Sequence, residues 1–281
     1  MYSNFSQTDW VTPFGLIFIL ATFVAWYWAR RNASSVDVDP SHVDLIVPLT
    51  IVAGIFGGTV LAWLMPMDHM VAGEAMNHGP RVRLFGMLGT GAIGLFIYSR
   101  IAGLAFSRML DVFALPTLAG LATHRVGCFL AGCCWGDIAG AAEVGDLAAQ
   151  VQTTSILQGV GGLVQYPPGS LPFDQHVALG LIGQGAPASL PVYPVQLYEA
   201  ALLVAMILVL SRVRWRRAPR GTLAVLAIFS YALLRFVIEY LRADGHLVMG
   251  NLTVTQLQCI VLALIILSLP RLRGRLAMRG A

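Results

Sequence analysis

Hydrophobic residues along this chain gather in long runs separated by short polar or glycine- and proline-rich stretches. Seven runs stand out, near residues 12–29, 44–65, 84–103, 110–135, 194–213, 221–243 and 252–270. Each is long enough to cross a bilayer core, which takes about 20 residues as a helix. Two segments between runs are long. Residues 66–82 carry Asp68, His69, Glu74, His78 and Arg81. Residues 137–193 are rich in Gly, Ala, Pro and Gln and contain no Arg, with turn signals at Tyr166-Pro167-Pro168-Gly169 and between Pro187 and Pro194. The pattern predicts an all-α integral membrane protein of seven transmembrane helices. It forms one membrane domain over 1–281, and residues 137–193 form an outer (periplasmic) cap. The residues before the first run contain Asp9 and no basic residue, so that run reads as a span and not as a cleaved signal.

Composition narrows the class. Of 281 residues, 57% are hydrophobic and 11% charged, against roughly 25% charged in an average soluble domain. That excludes a disordered chain, a nucleic-acid-binding domain and an ordinary soluble enzyme. All 18 basic residues are arginine. With the N-terminus outside, thirteen fall on the inner side: Arg30, Arg31, Arg100, Arg108, Arg212, Arg214, Arg216, Arg217, Arg220, Arg271, Arg273, Arg275 and Arg279. This bias predicts an N-out, C-in topology.

Five arginines break that pattern: Arg81, Arg83, Arg125, Arg235 and Arg242. Arg125 and Arg235 fall inside spans, where an arginine costs about 2.5–3.5 kcal/mol to insert. Arg235, Glu239 and Arg242 are spaced i, i+4, i+7, on one face of a continuous helix. Arg235 then lies roughly 10 Å below the outer exit of its span, at about 1.5 Å per residue. Two guanidinium groups and one carboxylate leave net positive charge, and the guanidinium fork suits phosphate. A self-neutralised helix clamp is the plainer reading of the same residues. Arg125 has no evident acidic partner along the chain. Glu199 reads either as a site carboxylate or as a plain charge near a helix N-terminus.

The fourth run ends in His124-Arg125-Val126-Gly127-Cys128-Phe129-Leu130-Ala131-Gly132-Cys133-Cys134-Trp135-Gly136. His124 and Cys128 are i, i+4 and share a face, whereas Cys133 falls opposite His124 on an unbroken helix. A metal site here needs the helix to unwind near Gly132, and none is assigned. Cys133 and Cys134 are alternatively a disulfide, a reactive thiol or soft packing residues. Cys259 reads as packing.

Three segments together resemble the prolipoprotein diacylglyceryl transferase family. The family signature GRxGNFxNxExxG appears as HRVGCFLAGCCWG over 124–136. HPxQLYE appears as YPVQLYE over 193–199, and RFxxEFxRxxD appears as RFVIEYLRAD over 235–244. The resemblance implies a bacterial inner-membrane enzyme that takes the diacylglyceryl unit of phosphatidylglycerol. Its acceptor is a prolipoprotein lipobox cysteine, or a small molecule. No cofactor is implied. Arg125 and Arg235 match the essential arginines and would stabilise the leaving phosphate. His124 and Glu239 join them as candidate catalytic residues. Arg242, Gln196, Tyr198, Glu199, Cys128 and Gly127 are candidate substrate-binding residues. The deprotonating group stays open among His124, Glu199 and a cysteine thiolate.

The departures lie in the polar positions. Cys128 and Ala131 stand at the signature asparagines, Cys133 at the signature glutamate and His124 at the first glycine. The family's HGG motif falls on Phe85-Gly86-Met87, and the His78-Gly79 pair is out of register with it. Two rival readings remain: a thiol- or metal-dependent membrane protein using Cys128, Cys133 and Cys134, and a non-catalytic lipid-binding relative.

Overall fold

The structure, a computed structural model, describes residues 13–36, 38–64, 84–138, 163–212, 218–243, 247–249 and 252–279. Long helices dominate: α1 (Pro13–Ser35), α2 (Pro40–Leu64), α3 (Leu84–Ile101), α4 (Phe106–Ala131), α6 (Val195–Ser211), α7 (Thr222–Ile238) and α8 (Val254–Arg279). Each coincides with one predicted apolar run. A short helix α5 (Leu171–Ala178) lies between α4 and α6. An antiparallel pair, β1 (Leu247–Met249) and β2 (Leu252–Thr253), precedes α8, so the fold is mostly rather than wholly helical. Among the described residues three helical stretches are long and apolar enough to cross a membrane: Pro40–Val60, Phe106–Ala131 and Thr222–Leu241. Val195–Ser211 and Val254–Ser268 are shorter apolar helices. The 66–82 segment with Asp68, His69, Glu74, His78 and Arg81 lies outside the described residues, as do Arg83, Asp244 and residues 139–162 of the expected cap.

Helix starts follow local chemistry. Pro13 and Pro40 open α1 and α2, where a missing N–H costs nothing. The Asp39 carboxylate accepts the Ser41 N–H at 2.8 Å, a cap at the start of α2. Asp111 of α4 reaches across to accept the Gly221 and Ala224 N–H groups at 2.6 and 2.9 Å, and so caps α7 from a neighbouring helix.

α4 is the central helix. It packs on α1, α3, α6 and α7. Near its N-terminal half, Met109 and Val112 close a cluster with Ala29, Ala33, Val38, Val43, Ile46 and Leu95. Further along, Leu115, Leu118, Ala119 and Ala122 meet Leu203, Ile207 and Leu210 of α6 and Leu223, Ala227 and Tyr231 of α7. The outward faces stay apolar: Ile19, Phe23, Val52, Phe56, Val209, Leu233, Val237 and Leu264 are all exposed. So much outward-facing hydrocarbon suits lipid rather than water.

The end of α4 is tied to the two helices that follow in the fold. Gly132 takes the left-handed conformation (φ 68°) and reverses the chain. The Gly136 N–H then donates to Tyr193 O at 3.0 Å, and Asp137 N–H donates to Leu241 O at 2.8 Å. Gly136 forms an antiparallel bridge with Arg242. The described part of the 163–193 segment folds against this staple. Tyr166, Phe173, His176 and Val192 are buried there, and Val192 bridges to both Ile138 and Val164.

Two expected outcomes follow from these contacts. A Cβ at Gly136 would stand 2.5 Å from Tyr193 O and 2.5 Å from Val195 Cγ2. Gly136→Ala should therefore destabilise the protein by about 1–3 kcal/mol, read as a lower thermal midpoint in detergent. The second concerns His176, whose Nδ1 accepts the Leu190 N–H at 3.1 Å. Burial holds its pKa below the usual 6.5, against the opposing pull of Asp137. The unfolded chain thus takes up this proton first. The stabilisation is full above about pH 6.5 and is lost as pH falls through the lower folded value. Amide exchange at Leu190, corrected for intrinsic rates, should quicken between about pH 7.5 and 5. His176→Gln keeps an acceptor without titrating and should remove that dependence.

Candidate active site

The stripes that build the core turn polar at one end. On α4 the buried face runs Leu118, Ala122, Arg125; on α7 it runs Ala224, Ala227, Tyr231, Arg235, Ile238. On α6 it runs from Leu210 back through Ile207 and Leu203 to Glu199 and Gln196. The C-terminal ends of α4 and α7 and the N-terminal end of α6 therefore bring their charged residues together.

Two ion-pair groups result. Arg125 Nε lies 3.0 Å from Glu199 Oε2. Arg235 Nη1 lies 2.7 Å from Glu239 Oε2, and Arg242 Nε approaches the same oxygen at 3.9 Å. None of these five side chains is more than 7% exposed. Tyr231 joins the groups. Its phenol lies 3.5 Å from Glu199 Oε1, and it stands within electrostatic reach of both Arg125 and Arg235. On the far side Glu239 Oε1 accepts the Thr253 hydroxyl at 3.0 Å. Gln256 holds Thr253 by accepting its backbone N–H at 2.9 Å, and donates to Phe236 O at 3.3 Å.

Among the described residues, three guanidinium groups meet two carboxylates in a buried setting. Arg125 Nε, Glu199 Oε2, Arg235 Nη1 and Glu239 Oε2 lack an aligned hydrogen bond among the described residues, so proximity of charge rather than directional bonding holds the pairs. Trp135 Nε1 and Gln196 Oε1 are likewise buried without a hydrogen-bond partner among the described residues. Arrays of this kind suit a singly charged phosphodiester, which guanidinium forks recognise through paired N–H groups.

Several sequence expectations change here. Arg125 does have an acidic partner, Glu199, contributed by another helix. Glu199 is 0% exposed and committed to that pair, so it is not a plain charge at the N-terminus of α6. Arg235, Glu239 and Arg242 do meet, but not on a continuous α-helix. The α-helix stops at Ile238, residues Glu239–Leu241 form a 3-10 turn, and Arg242 is extended. Gln196 spends its amide on the loop, donating to Cys133 O at 2.7 Å and Tyr166 Oη at 3.3 Å. Gly127 faces Ile17 of α1, where a Cβ would come within 2.8 Å, so it serves helix packing. Tyr198 is half-buried on α6 beside Glu199. His124 is half-buried, edge-on to Phe14 and Phe18, with Nε2 3.6 Å from Cys128 Sγ. The sequence reading missed Tyr231, Thr253, Gln256 and Trp135. Only Tyr231 left a signal, four residues before Arg235 on the same face.

The cysteines are also rearranged. Because α4 ends at Ala131, Cys133 does not continue to the face opposite His124. The chain turns back, Cys133 N–H donates to Cys128 O at 3.1 Å, and the three Sγ atoms of Cys128, Cys133 and Cys134 lie within 4.8 Å of one another. Cys259 is buried in α8, away from this cluster.

The family model described as prolipoprotein diacylglyceryl transferase matches residues 7–270. A phosphatidylglycerol–prolipoprotein diacylglyceryl transferase of Dehalococcoides mccartyi is 25% identical over 249 residues, covering 88% of this chain and 82% of that protein. Proteins of the same name from Azotobacter vinelandii and Pseudomonas fluorescens are each 27% identical, covering 89% and 94% of this chain and 85% and 86% of their own. The motif segments meet at the arginine cluster and the match spans nearly the whole length, so the chain belongs to the prolipoprotein diacylglyceryl transferase family, a family of membrane enzymes.

Proposed function

We propose that this chain moves the diacylglyceryl group of an anionic phospholipid, phosphatidylglycerol in character, onto the lipobox cysteine thiol of a prolipoprotein. The observation that carries the reading is the buried meeting of Arg125, Arg235 and Arg242 from separate helices, held by Glu199 and Glu239. A phosphodiester headgroup is an anion that guanidinium forks recognise through paired N–H groups. Names of the matched relatives point to the same donor and acceptor.

Chemically, the bond from the glyceryl carbon to the phosphate oxygen breaks, and its electron pair leaves with glycerol phosphate. The acceptor sulfur bonds to that carbon, and the thiol proton passes to His124. Arg125 and Arg235 stabilise the charge that grows on the leaving phosphate, and a low-dielectric site makes that stabilisation large. Glu199, Glu239 and Tyr231 hold the guanidinium groups in place, and Arg242 adds a third cation. Tyr198 borders the donor and Gln196 keeps the loop closed over it.

The same reading sets the chain in the bacterial inner membrane with seven spans, N-terminus outside and C-terminus cytoplasmic. It is a single membrane domain, and residues 137–193 form the periplasmic cap. The arginine bias and the exposed apolar faces support this arrangement. Gly183→Cys and Ala218→Cys variants should take up an impermeant label from opposite sides of the membrane, over the background of the native cysteines. Labelling of both from one side would sink the seven-span arrangement.

Arginine replacement tests the site. Arg125→Lys and Arg235→Lys keep the charge and lose the fork, and each should lower turnover of labelled phosphatidylglycerol by about 100-fold. Arg125→Ala also strands Glu199 as a buried charge at a cost of about 3–5 kcal/mol, so the lysine variants are the informative ones. Membrane-inserted lysine variants with undiminished turnover would rule out a phosphate role. Lipid that binds without transfer in the unaltered protein would favour a non-catalytic relative.

A further inference from the structure

The transferase reading leaves the three cysteines at the end of α4 without a task. We infer that Cys128, Cys133 and Cys134 form a binding site for a thiophilic closed-shell cation, Zn²⁺ or Cu⁺. The inference does not rest on the proposed transfer reaction.

Geometry carries it. The three Sγ atoms all lie within 4.8 Å of one another. Thiolates around one zinc ion stand about 3.8 Å apart, given a Zn–S bond of about 2.3 Å in tetrahedral geometry. Gathering them takes small side-chain rotations and no change of fold. A Zn²⁺ ion would keep its fourth position open, as zinc sites with three protein ligands do; His124 Nε2 lies 3.6 Å from Cys128 Sγ but outside the three-sulfur group. Cu⁺ accepts three soft ligands as they stand.

The backbone supplies a second observation. Cys134 has φ 58°, the one positive φ of a non-glycine residue among those described. A residue held there costs of order 1–3 kcal/mol, and such strain gathers at sites that use it. Together with Gly132 at φ 68°, it folds residues 133 and 134 back against Cys128. A plain helix end needs one left-handed residue, and this one has two within three positions.

Binding releases the three thiol protons and leaves a Zn²⁺ complex of net charge −1, or a Cu⁺ complex of −2. Arg125 and Arg242 both act on Cys134 through space. The negative charge of the loaded site is opposed by the guanidinium groups of Arg125 and Arg242. A bound ion would pin the loop that already bonds to Tyr193 and Leu241, and so fix the junction of the three motif segments.

The test uses the full-length protein in detergent, reduced with a phosphine and stripped of metal. Titration with Zn²⁺, with Cu⁺ under anaerobic conditions, and with Co²⁺ as a spectroscopic probe should show one ion per chain. Co²⁺ should develop thiolate charge-transfer absorption. The arm with the tighter binding identifies the ion. Cys128→Ser, Cys133→Ser and Cys134→Ser should each weaken binding by at least about tenfold, and Cys259→Ser should leave it unchanged. Should the serine variants fail to fold, alkylation of the native protein decides. Metal should protect three thiols, and a chelator should expose them again. No charge-transfer band and no protected thiols in the reduced native protein would overturn the site. Equal metal uptake by a folded triple-serine variant would do the same.

Discussion

An ion buried in an apolar bundle must find its counter-ion there, and the pairing of Arg125 with Glu199 is where this constraint shapes the protein most. Removing either partner leaves an uncompensated charge, at a cost of about 3–5 kcal/mol. Arg125 comes from the end of α4 and Glu199 from the start of α6. The pair therefore fixes how these helices sit along each other. Leu118, Ala122, Leu203 and Ile207 pack in the layer adjoining it. The second group, Arg235 and Arg242 on Glu239, sets the end of α7 in the same way, and Thr253 brings in the start of α8. Tyr231 donates to Glu199 and stands within electrostatic reach of Arg125 and Arg235.

Polar backbone must also be satisfied where these helices end. The Gly132–Asp137 stretch meets this need by pairing with Tyr193 on one side and with Leu241 to Ala243 on the other. A segment with no regular structure of its own thus becomes the junction of three helices. Gly136 is required there by space and Gly132 by conformation. Gln196 completes the closure through Cys133 O and the buried Tyr166. The residues of the three motifs are neighbours because this junction gathers them.

Among the described residues, two carboxylates hold and orient three guanidinium groups in a low-dielectric setting. Removal of both carboxylates would leave three repelling cations that the bundle has no means of burying. The ion pairs seen here hold the arginine side chains in place.

Long apolar runs dictate their own secondary structure, because in lipid the backbone has no other way to satisfy its hydrogen bonds. The seven helices were for that reason legible in the sequence. Arg235 with Glu239 was legible too, since an i, i+4 pair is a local matter. Glu199 as the partner of Arg125 was not, because the two are far apart in the chain and only the packing of α4 on α6 brings them together. The break after Ile238 and the turn after Ala131 depend on backbone pairing between distant segments, which periodicity does not encode. The cysteines show the difference most plainly. Helical spacing puts Cys133 opposite His124, whereas two left-handed residues, stabilised by contacts with Tyr166, Tyr193 and Gln196, bring it to Cys128. Sequence determined which residues are buried and charged; tertiary structure decided which of them meet, because meeting depends on contacts between helices that no local rule specifies.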